Sequence, residues 1–424
     1  MGDLKVIILA GGLGKSLWPC SRKDKPKPFL ALAGPDTLLQ QTVKRAKLLV
    51  SIEDIYVVTG KQHVGLVQEQ VPDLPQENIL AEPVGRDTAP AIALAIAYLT
   101  ANREIKPSLP AQAPAEPQAP GVPAQAPGTA PAPALASAPS PAPASDPVMV
   151  VLPVDHIIRD QAGFAESVRL AVDAARATGD LVAIGIKPTR PETNYGYIQL
   201  SPAEHKDHLY LTEAFIEKPD MGQALSFLKS GQHLWNTGIF AWRLGSMEKA
   251  IARYLPDLAQ GMEQVRQAIG TLELEPALEE SFSSLPNTSI EEGILQKADN
   301  VWAIAAQFAW DKLDSWTAVA RSLSPDHKGN VTQGRCIPIS TCDSIIWSDN
   351  PNKLVVTFGL DEALVVDTAS ALLVADKRRC RDMNKVTEEI AKRGWQRFLD
   401  ADILAGNKSE AGRASAKGAA AGRA

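Results

Sequence analysis

The chain of 424 residues contains no apolar run of the roughly 18 residues that a membrane-spanning helix needs. Its first apolar stretch, Val6 to Ala10, is too short for a secretory signal and leads directly into glycines. Lys and Arg (43) do not outnumber Asp and Glu (49), and the net charge of −6 argues against a general nucleic-acid binder. We therefore expect a cytoplasmic protein whose partners include neither a membrane nor nucleic acid.

Cysteine is also scarce. The chain has 4 cysteines and no C-x-x-C pair. They are Cys20, Cys336, Cys342 and Cys380. This spacing predicts neither a disulfide framework nor a zinc site, and it favours reduced, structural thiols.

Proline is concentrated in one segment. Thirteen of the 32 prolines fall between residues 107 and 147, where alanine fills most of the remaining positions. Proline removes backbone donors and alanine offers little surface to bury, so we predict a disordered insertion there. The small, basic stretch 407–424 is predicted to be a disordered tail.

The rest of the chain alternates short apolar runs with helical patterns. Apolar runs predicted as buried strands begin at Val6, Ile55, Val148 and Leu181, and helical patterns lie between them. This alternation predicts an α/β fold over residues 1–325, with a parallel or mixed sheet covered on both faces. Several short runs at close spacing predict a small β-rich domain over residues 326–400.

A glycine loop follows the first predicted strand. Gly11-Gly12-Leu13-Gly14-Lys15-Ser16 stands where an open α/β sheet binds ligands, and several cations come soon after it. Backbone amides and cations suit a polyphosphate, although a solvated basic loop stays an alternative. A P-loop is disfavoured, because its first glycine would fall on Leu9 and Trp18-Pro19 would stop its helix.

Further motifs carry a resemblance to a known family. They stand in one order along the chain as GGLGKSLWPCSR from Gly11, PKPF from Pro26, EPVGRDTAP from Glu82, LPVDH from Leu152, PETNYGYI from Pro191, FIEKP from Phe215 and WNTGIF from Trp235. The chain thereby resembles the sugar-nucleotide pyrophosphorylases, most closely the bacterial mannose-1-phosphate guanylyltransferases. The resemblance implies a Rossmann-like nucleotidyltransferase domain with a mixed, mostly parallel sheet, followed by the small β-rich domain.

The resemblance also implies a reaction and a set of site residues. GTP and mannose 1-phosphate would give GDP-mannose and pyrophosphate with Mg²⁺ as cofactor, and a homo-oligomer stays open. Asp155 would be the metal ligand, and the catalytic residues would be Lys27, Asp155 and Lys15. Nucleotide-binding residues would be Leu9, Ala10, Gly11, Gly12, Gly14, Arg86, Thr88 and Ala89. Sugar-binding residues would be Gly196, Glu217, Lys218 and Asn236. A helix N-cap is the alternative for Asp155.

The sequence departs from the family pattern at three positions. Ser16 occupies a position where the family has an arginine, and Asp87 one where it has an asparagine. Lys312 occupies the position of a second metal-binding aspartate. These changes predict weakened stabilisation of the phosphates, with Asp311 or Asp314 as substitute metal ligands if the loop shifts. Two alternatives therefore stay open: a degenerate paralogue that binds nucleotide or sugar nucleotide in a regulatory role, and a pyrophosphorylase for another nucleotide–sugar pair.

Overall fold

A computed structural model describes residues 4–105, 146–206 and 208–401. The predicted tail 407–424 and nearly all of the predicted insertion lie outside these residues. The last two positions of the predicted insertion, however, belong to the fold. Asp146 accepts a hydrogen bond from Gly245, and the Pro147 carbonyl accepts one from Leu244. Within the described ranges, no helix is both long and apolar enough to cross a membrane.

A central sheet of nine strands organises the first domain. The strands of this domain are β1 (Leu4–Leu9), β2 (Ile55–Gly60), β3 (Ile79–Glu82), β4 (Val148–Pro153), β5 (His156–Ile158), β6 (Leu181–Ile186), β7 (Tyr197–Lys206), β8 (Leu209–Ile216), β9 (His233–Arg243), β10 (Val301–Ala306) and β11 (Trp310–Lys312). The sheet has the order β3-β2-β1-β4-β9-β6-β10-β8-β7, and β5 pairs separately with β11. All strands of the large sheet except β8 and β9 point the same way, which confirms the mixed sheet predicted from the sequence.

Helices cover both faces of the sheet, as predicted. They are α1 (Leu38–Ala46), α2 (Val64–Gln70), α3 (Thr88–Ile105), α4 (Gln161–Thr178), α5 (Met221–Ser230), α6 (Leu244–Tyr254), α7 (Pro256–Ala268), α8 (Leu274–Ser284) and α9 (Trp316–Ser322). On β1, Ile7 packs into one cluster with α3 and α6 to α8, whereas Val6 and Ile8 pack into another with α1, α2, α4 and α5. This alternation follows from the two-residue period of a strand.

The glycine loop does not open an α-helix. It leads into a 3₁₀ turn at Lys15–Leu17, and α1 begins only at Leu38, after an N-cap at Thr37. A P-loop requires a helix directly after its glycines, so the P-loop alternative is excluded. The N-cap alternative for Asp155 is excluded as well, because Asp160 caps α4 by accepting a hydrogen bond from Gly163.

The second domain is β-rich, as predicted, and its strands form two small sheets. Its elements are β12 (Val331–Gln333), β13 (Cys336–Ile339), β14 (Ile345–Ser348), β15 (Val355–Phe358), β16 (Ala363–Asp367), β17 (Leu372–Asp376), α10 (Met383–Lys392) and α11 (Arg397–Asp400). Strands β12, β14 and β16 pair in parallel in one sheet, while β13 and β15 pair in parallel in another. Successive strands thus alternate between sheets, as in a β-helix. Gly394, with a φ of 73°, separates α10 from α11.

The two domains share a hydrophobic cluster. It joins Leu17 and Leu32 of the first domain to Trp347 and Met383 of the second. The Arg22 guanidinium adds hydrogen bonds to the carbonyls of Phe398 and Ala401. The second domain is therefore fixed against the segment that follows the glycine loop.

Candidate active site

The glycine loop lies at the carboxyl end of β1, between the ends of β2 and β4. The backbone N–H of Ala10 donates to the Val58 carbonyl at 2.8 Å, and the Thr59 hydroxyl donates to the Ala10 carbonyl at 3.1 Å. Beyond this anchor, Gly11 and Gly12 are exposed, and a Cβ at either position would meet no atom within 4 Å. The loop thus presents open backbone at the sheet edge where ligands bind in such folds.

Gly14 leaves room for the side chain of Lys27, which passes over it. Its φ is +61°, and a Cβ would lie 2.6 Å from the Lys27 Cβ. The lysine stem passes over this glycine, and its Nζ lies 2.6 Å from Oδ2 of Asp155. Both side chains are largely buried, at 11% and 13% exposure. The structure therefore brings together three residues that the sequence analysis assigned to the site.

Asp155 lies between β4 and β5, and the β5–β11 pair fixes its surroundings. Its backbone carbonyl accepts a hydrogen bond from Leu313 at 2.8 Å, and Lys312 stands opposite His156 in the register of the two strands. Burial alone would raise the pKa of Asp155, but the positive charges of Lys27 and Lys312 outweigh burial and hold that pKa well below its usual range. Asp155 is therefore ionised, is paired with the Lys27 ammonium and feels the positive charge of Lys312.

Lys312 is the cationic centre of an acidic region. Asp155 contributes most to raising the pKa of Lys312, against the effect of burial, and Asp314, Glu291 and Glu217 raise it further. Because a raised pKa keeps the amine protonated, a fixed positive charge occupies the region that the resemblance assigns to a second metal-binding carboxylate.

Asp311 is not free to replace that carboxylate. The guanidinium of Arg321 holds it in a bidentate pair at 2.7 and 3.0 Å, and the Tyr195 hydroxyl donates to it at 2.7 Å. In the described part of the chain, no three His, Cys, Asp or Glu side chains are grouped so that they could hold a metal ion. The donors around Asp155 therefore do not fit a metal ion held by the protein alone, and Mg²⁺ at Asp155 stays a prediction from the resemblance.

The residues assigned to the sugar face this acidic region. The Asn236 amide donates to Oε1 of Glu291 at 3.0 Å, and the Asn236 backbone N–H donates to the Gly196 carbonyl at 2.8 Å. A Cβ on Gly196 would lie 2.3 Å from Oε1 of Glu217, so this glycine makes room for the Glu217 carboxylate. Lys218 is exposed and has a φ of 46°. Three of the four sugar-side predictions are thus adjacent, and their contact with a sugar stays a prediction.

The segment Arg86 to Ala89 uses its polar groups to build the loop. The Arg86 guanidinium donates to the carbonyls of Phe282 and Ser283, both at 3.0 Å. Asp87 has a φ of 71° and accepts from the Thr88 N–H at 2.7 Å, while the Ala89 N–H donates to the Thr288 carbonyl at 3.1 Å. A left-handed residue favours Asn or Asp, which explains the tolerated change at Asp87. These bonds occupy the groups expected to face a triphosphate, so this segment's contact with nucleotide also stays a prediction.

The cations near the glycine loop do not act as one group. Arg22 is buried against backbone carbonyls of the second domain, and Lys23 lies 2.7 Å from Asp400. Lys15 is exposed and lines a cavity of about 250 Å³ together with Leu13 and residues of α10 and α11. Of the predicted cations, Lys27 is the one that the structure places against Asp155.

Two acidic residues near the site were missed from the sequence. Glu291 begins a π-helical turn, Glu291–Leu295, a geometry that is frequent at functional sites. Glu82 ends β3, and its Oε1 is buried without a hydrogen-bond partner in the described ranges. Burial and the charge of Asp87 raise the pKa of Glu82 to about 8. Glu82 is the first residue of the EPVGRDTAP motif, whereas Glu291 reaches the site only through tertiary packing.

Comparisons with known proteins identify the family of the chain. The family model described as nucleotidyl transferase matches residues 5–113 and 105–274. Mannose-1-phosphate guanylyltransferase of Escherichia coli K12 is 33% identical, over 92% of this chain and 73% of its own length. The alginate biosynthesis protein AlgA of Pseudomonas aeruginosa is 30% identical, over 92% and 72%.

A solved structure from Thermus thermophilus, described as mannose-1-phosphate geranyltransferase, is 30% identical with a TM-score of 0.74. It matches 92% of this chain and 99% of that one. The chain therefore belongs to the nucleotidyl transferase family. Within that family it is a sugar-nucleotide pyrophosphorylase similar to the mannose-1-phosphate guanylyltransferases.

Proposed function

We propose that the protein forms GDP-mannose and pyrophosphate from GTP and mannose 1-phosphate. A phosphate oxygen of the sugar phosphate would attack the α-phosphorus, and the bond to the leaving pyrophosphate would break. Such a transfer needs positioning and charge neutralisation more than covalent catalysis. The names of the relatives support the substrates, and the location of the site supports the reaction.

One arrangement carries the proposal. Lys27 is paired with Asp155 beside the open glycine loop, and the charge of Lys312 acts on the same carboxylate. Asn236 donates to Glu291, whose charge also acts on Lys312. The lysines would neutralise phosphate oxygens. Asn236, Glu291 and Glu217 would form hydrogen bonds with the sugar hydroxyls. Mg²⁺ remains part of the proposal as the resemblance implies it, with Asp155 as a ligand to an ion that is brought by the nucleotide phosphates.

Glu82 supports guanine as the base. Glu82 is the last residue of β3, at the same edge of the sheet as the glycine loop. Its Oε1 has no hydrogen-bond partner among the described residues. A buried oxygen without a partner is costly, and the N–H groups of guanine would donate to it and favour the ionised carboxylate over the protonated form that burial favours. Glu82→Gln should therefore lower the preference for GTP over other nucleoside triphosphates by tenfold or more, because a buried polar match is worth roughly 1–3 kcal/mol.

The direct test is pyrophosphate release. The purified chain is assayed with GTP and mannose 1-phosphate, and in parallel with other nucleoside triphosphates and hexose 1-phosphates. We expect the highest kcat/KM for GTP with mannose 1-phosphate, and Asp155→Asn should lower it by ~10²-fold or more. A higher kcat/KM for another pair would replace the proposed substrates.

The regulatory alternative rests on the same site. Lys312 and Ser16 stand where the resemblance expects a metal ligand and an arginine, and both changes affect the phosphates rather than the sugar. Tight binding of GDP-mannose without pyrophosphate release from any pair would favour this alternative over the enzyme.

A further inference from the structure

The region around Asp155 holds an unusual balance of charge. The charges of Asp155, Asp314, Glu291 and Glu217 all act on the Lys312 amine. Carboxylates beside a phosphate-binding loop ordinarily serve a divalent cation, because hard cations take oxygen ligands. In this chain the cation of that environment is a side chain.

The backbone holds Lys312 in this place. The pairing of β5 with β11 sets Lys312 opposite His156, and the next residue, Leu313, donates its N–H to the Asp155 carbonyl at 2.8 Å. Residues paired across two antiparallel strands lie about 5 Å apart, so the strand pair fixes the backbone of Lys312 beside the residue that follows Asp155.

Neighbouring acids do not rebuild a metal site. Asp311 is held by Arg321 and Tyr195, and among the residues that the structure describes Asp314 does not form a group of three possible metal ligands with its neighbours. Asp155 itself is paired with Lys27 at 2.6 Å. A divalent ion bound by the protein alone would have to displace one ammonium group and lie beside another, and both requirements oppose binding.

We propose that the Lys312 ammonium is the resident cation of this site. Its positive charge, which belongs to the chain itself, neutralises phosphate oxygens in place of a divalent metal bound by the protein. Its position against Asp155 makes it a contact for the phosphate oxygens of the bound nucleotide or pyrophosphate. Any metal in the reaction then enters on the nucleotide phosphates and not on a site preformed by the chain. This inference rests on the proposed function for the identity of the phosphates.

Binding of Mn²⁺ to the full chain without nucleotide tests the inference independently of turnover. Free Mn²⁺ is followed by its electron paramagnetic resonance signal during titration. We expect no saturable site in the natural protein below millimolar Mn²⁺. Lys312→Asp should create one with an affinity at least tenfold higher. Lys249→Asp, which makes the same charge change at an exposed position of α6, should create none.

A neutral variant covers the case in which Lys312→Asp does not fold. Lys312→Met keeps most of the side-chain volume and should weaken pyrophosphate binding, measured by calorimetry without metal, by tenfold or more. A saturable submillimolar Mn²⁺ site in the natural protein, or unchanged pyrophosphate binding in Lys312→Met, would overturn the inference. If no substrate pair releases pyrophosphate, the proposed function fails, while the Mn²⁺ titration still decides whether Lys312 excludes a metal.

Discussion

The hydroxyl of Ser16 donates a hydrogen bond to the backbone carbonyl of Asp314. This contact joins the turn after the glycine loop to the segment that carries Lys312, whose carbonyl accepts from the Asp314 N–H at 3.0 Å. Two of the three departures from the family pattern are therefore neighbours in space. An arginine at position 16 could not make the same short contact, and it would place a further positive charge near Lys312.

The proximity predicts that the two positions are coupled. We expect Ser16→Arg alone to lower kcat/KM, because it breaks the bond to Asp314 and adds repulsion. In combination with Lys312→Asp the arginine should recover activity, with a coupling energy of ~1–2 kcal/mol in a double-mutant cycle. The cycle is measured as kcat/KM for pyrophosphate release at saturating Mg²⁺.

Strictly additive effects in that cycle would show that Ser16 and Lys312 act independently. Ser16→Ala serves as the control, since it removes the hydrogen bond without adding charge. It should cost about 1 kcal/mol of stability and leave the coupling with Lys312 near zero.

The alternation of strands and helices could be predicted because it is written in local hydrophobic periodicity. The run from Val6 to Ala10 became β1, and Ile7 and its neighbours Val6 and Ile8 face opposite layers. The family resemblance assigned Lys27 and Asp155 to one site, and the structure pairs them at 2.6 Å. The strand prediction rests on signals a few residues apart, whereas the pairing of these two side chains came from the resemblance.

What could not be predicted depends on distant partners. Nothing near Arg22 indicates that its guanidinium would bind carbonyls of Phe398 and Ala401, more than 370 positions away. Glu291 reaches Asn236 only because the π-helical turn packs against the start of α3. The alternation of β12 to β16 between two sheets is equally invisible, since short strands at close spacing are common to many β-rich folds.

Alanine should destabilise the protein at Gly14 but not at Gly11. At Gly14 the new Cβ would lie 2.6 Å from the Lys27 Cβ at a positive φ, so Gly14→Ala should cost ~1–3 kcal/mol of stability. At Gly11 the new Cβ meets no atom within 4 Å, so stability should not change. If the loop holds nucleotide, Gly11→Ala should still weaken GTP binding. Denaturant unfolding and GTP calorimetry on both variants check this, and equal stabilities would contradict it.

The proline-rich insertion should be dispensable for folding. Its flanks are close in space, because Nη1 of Arg103 lies 3.7 Å from Oδ1 of Asp146, and a short linker can join them. Replacing residues 107–144 by about ten Gly and Ser residues should leave the melting temperature unchanged or raise it by ~2–4 °C, since a shorter loop is cheaper to close. A chain with the insertion scrambled is the control of equal length. Loss of soluble expression in the shortened chain alone would show that the insertion contributes to the fold.

Glu217 should make the protein less stable as pH rises towards 7. Burial, together with the charge of Glu291, raises the pKa of Glu217 from 4.5 to about 7 in the folded chain. Between these values the folded chain binds more protons than the unfolded chain, so the free energy of unfolding falls as pH increases and stays low above pH 7.

Glu217→Gln removes this penalty because the amide carries no charge. We expect the variant to be ~1–2 kcal/mol more stable relative to the natural protein at pH 8 than at pH 5, a figure reduced for partial exposure of the side chain. Urea unfolding at both pH values measures the difference, and Glu280→Gln, at an exposed position of α8, should show none. A variant whose stability follows the natural protein equally at pH 5 and pH 8 would mean that Glu217 ionises in the folded chain as readily as in the unfolded one.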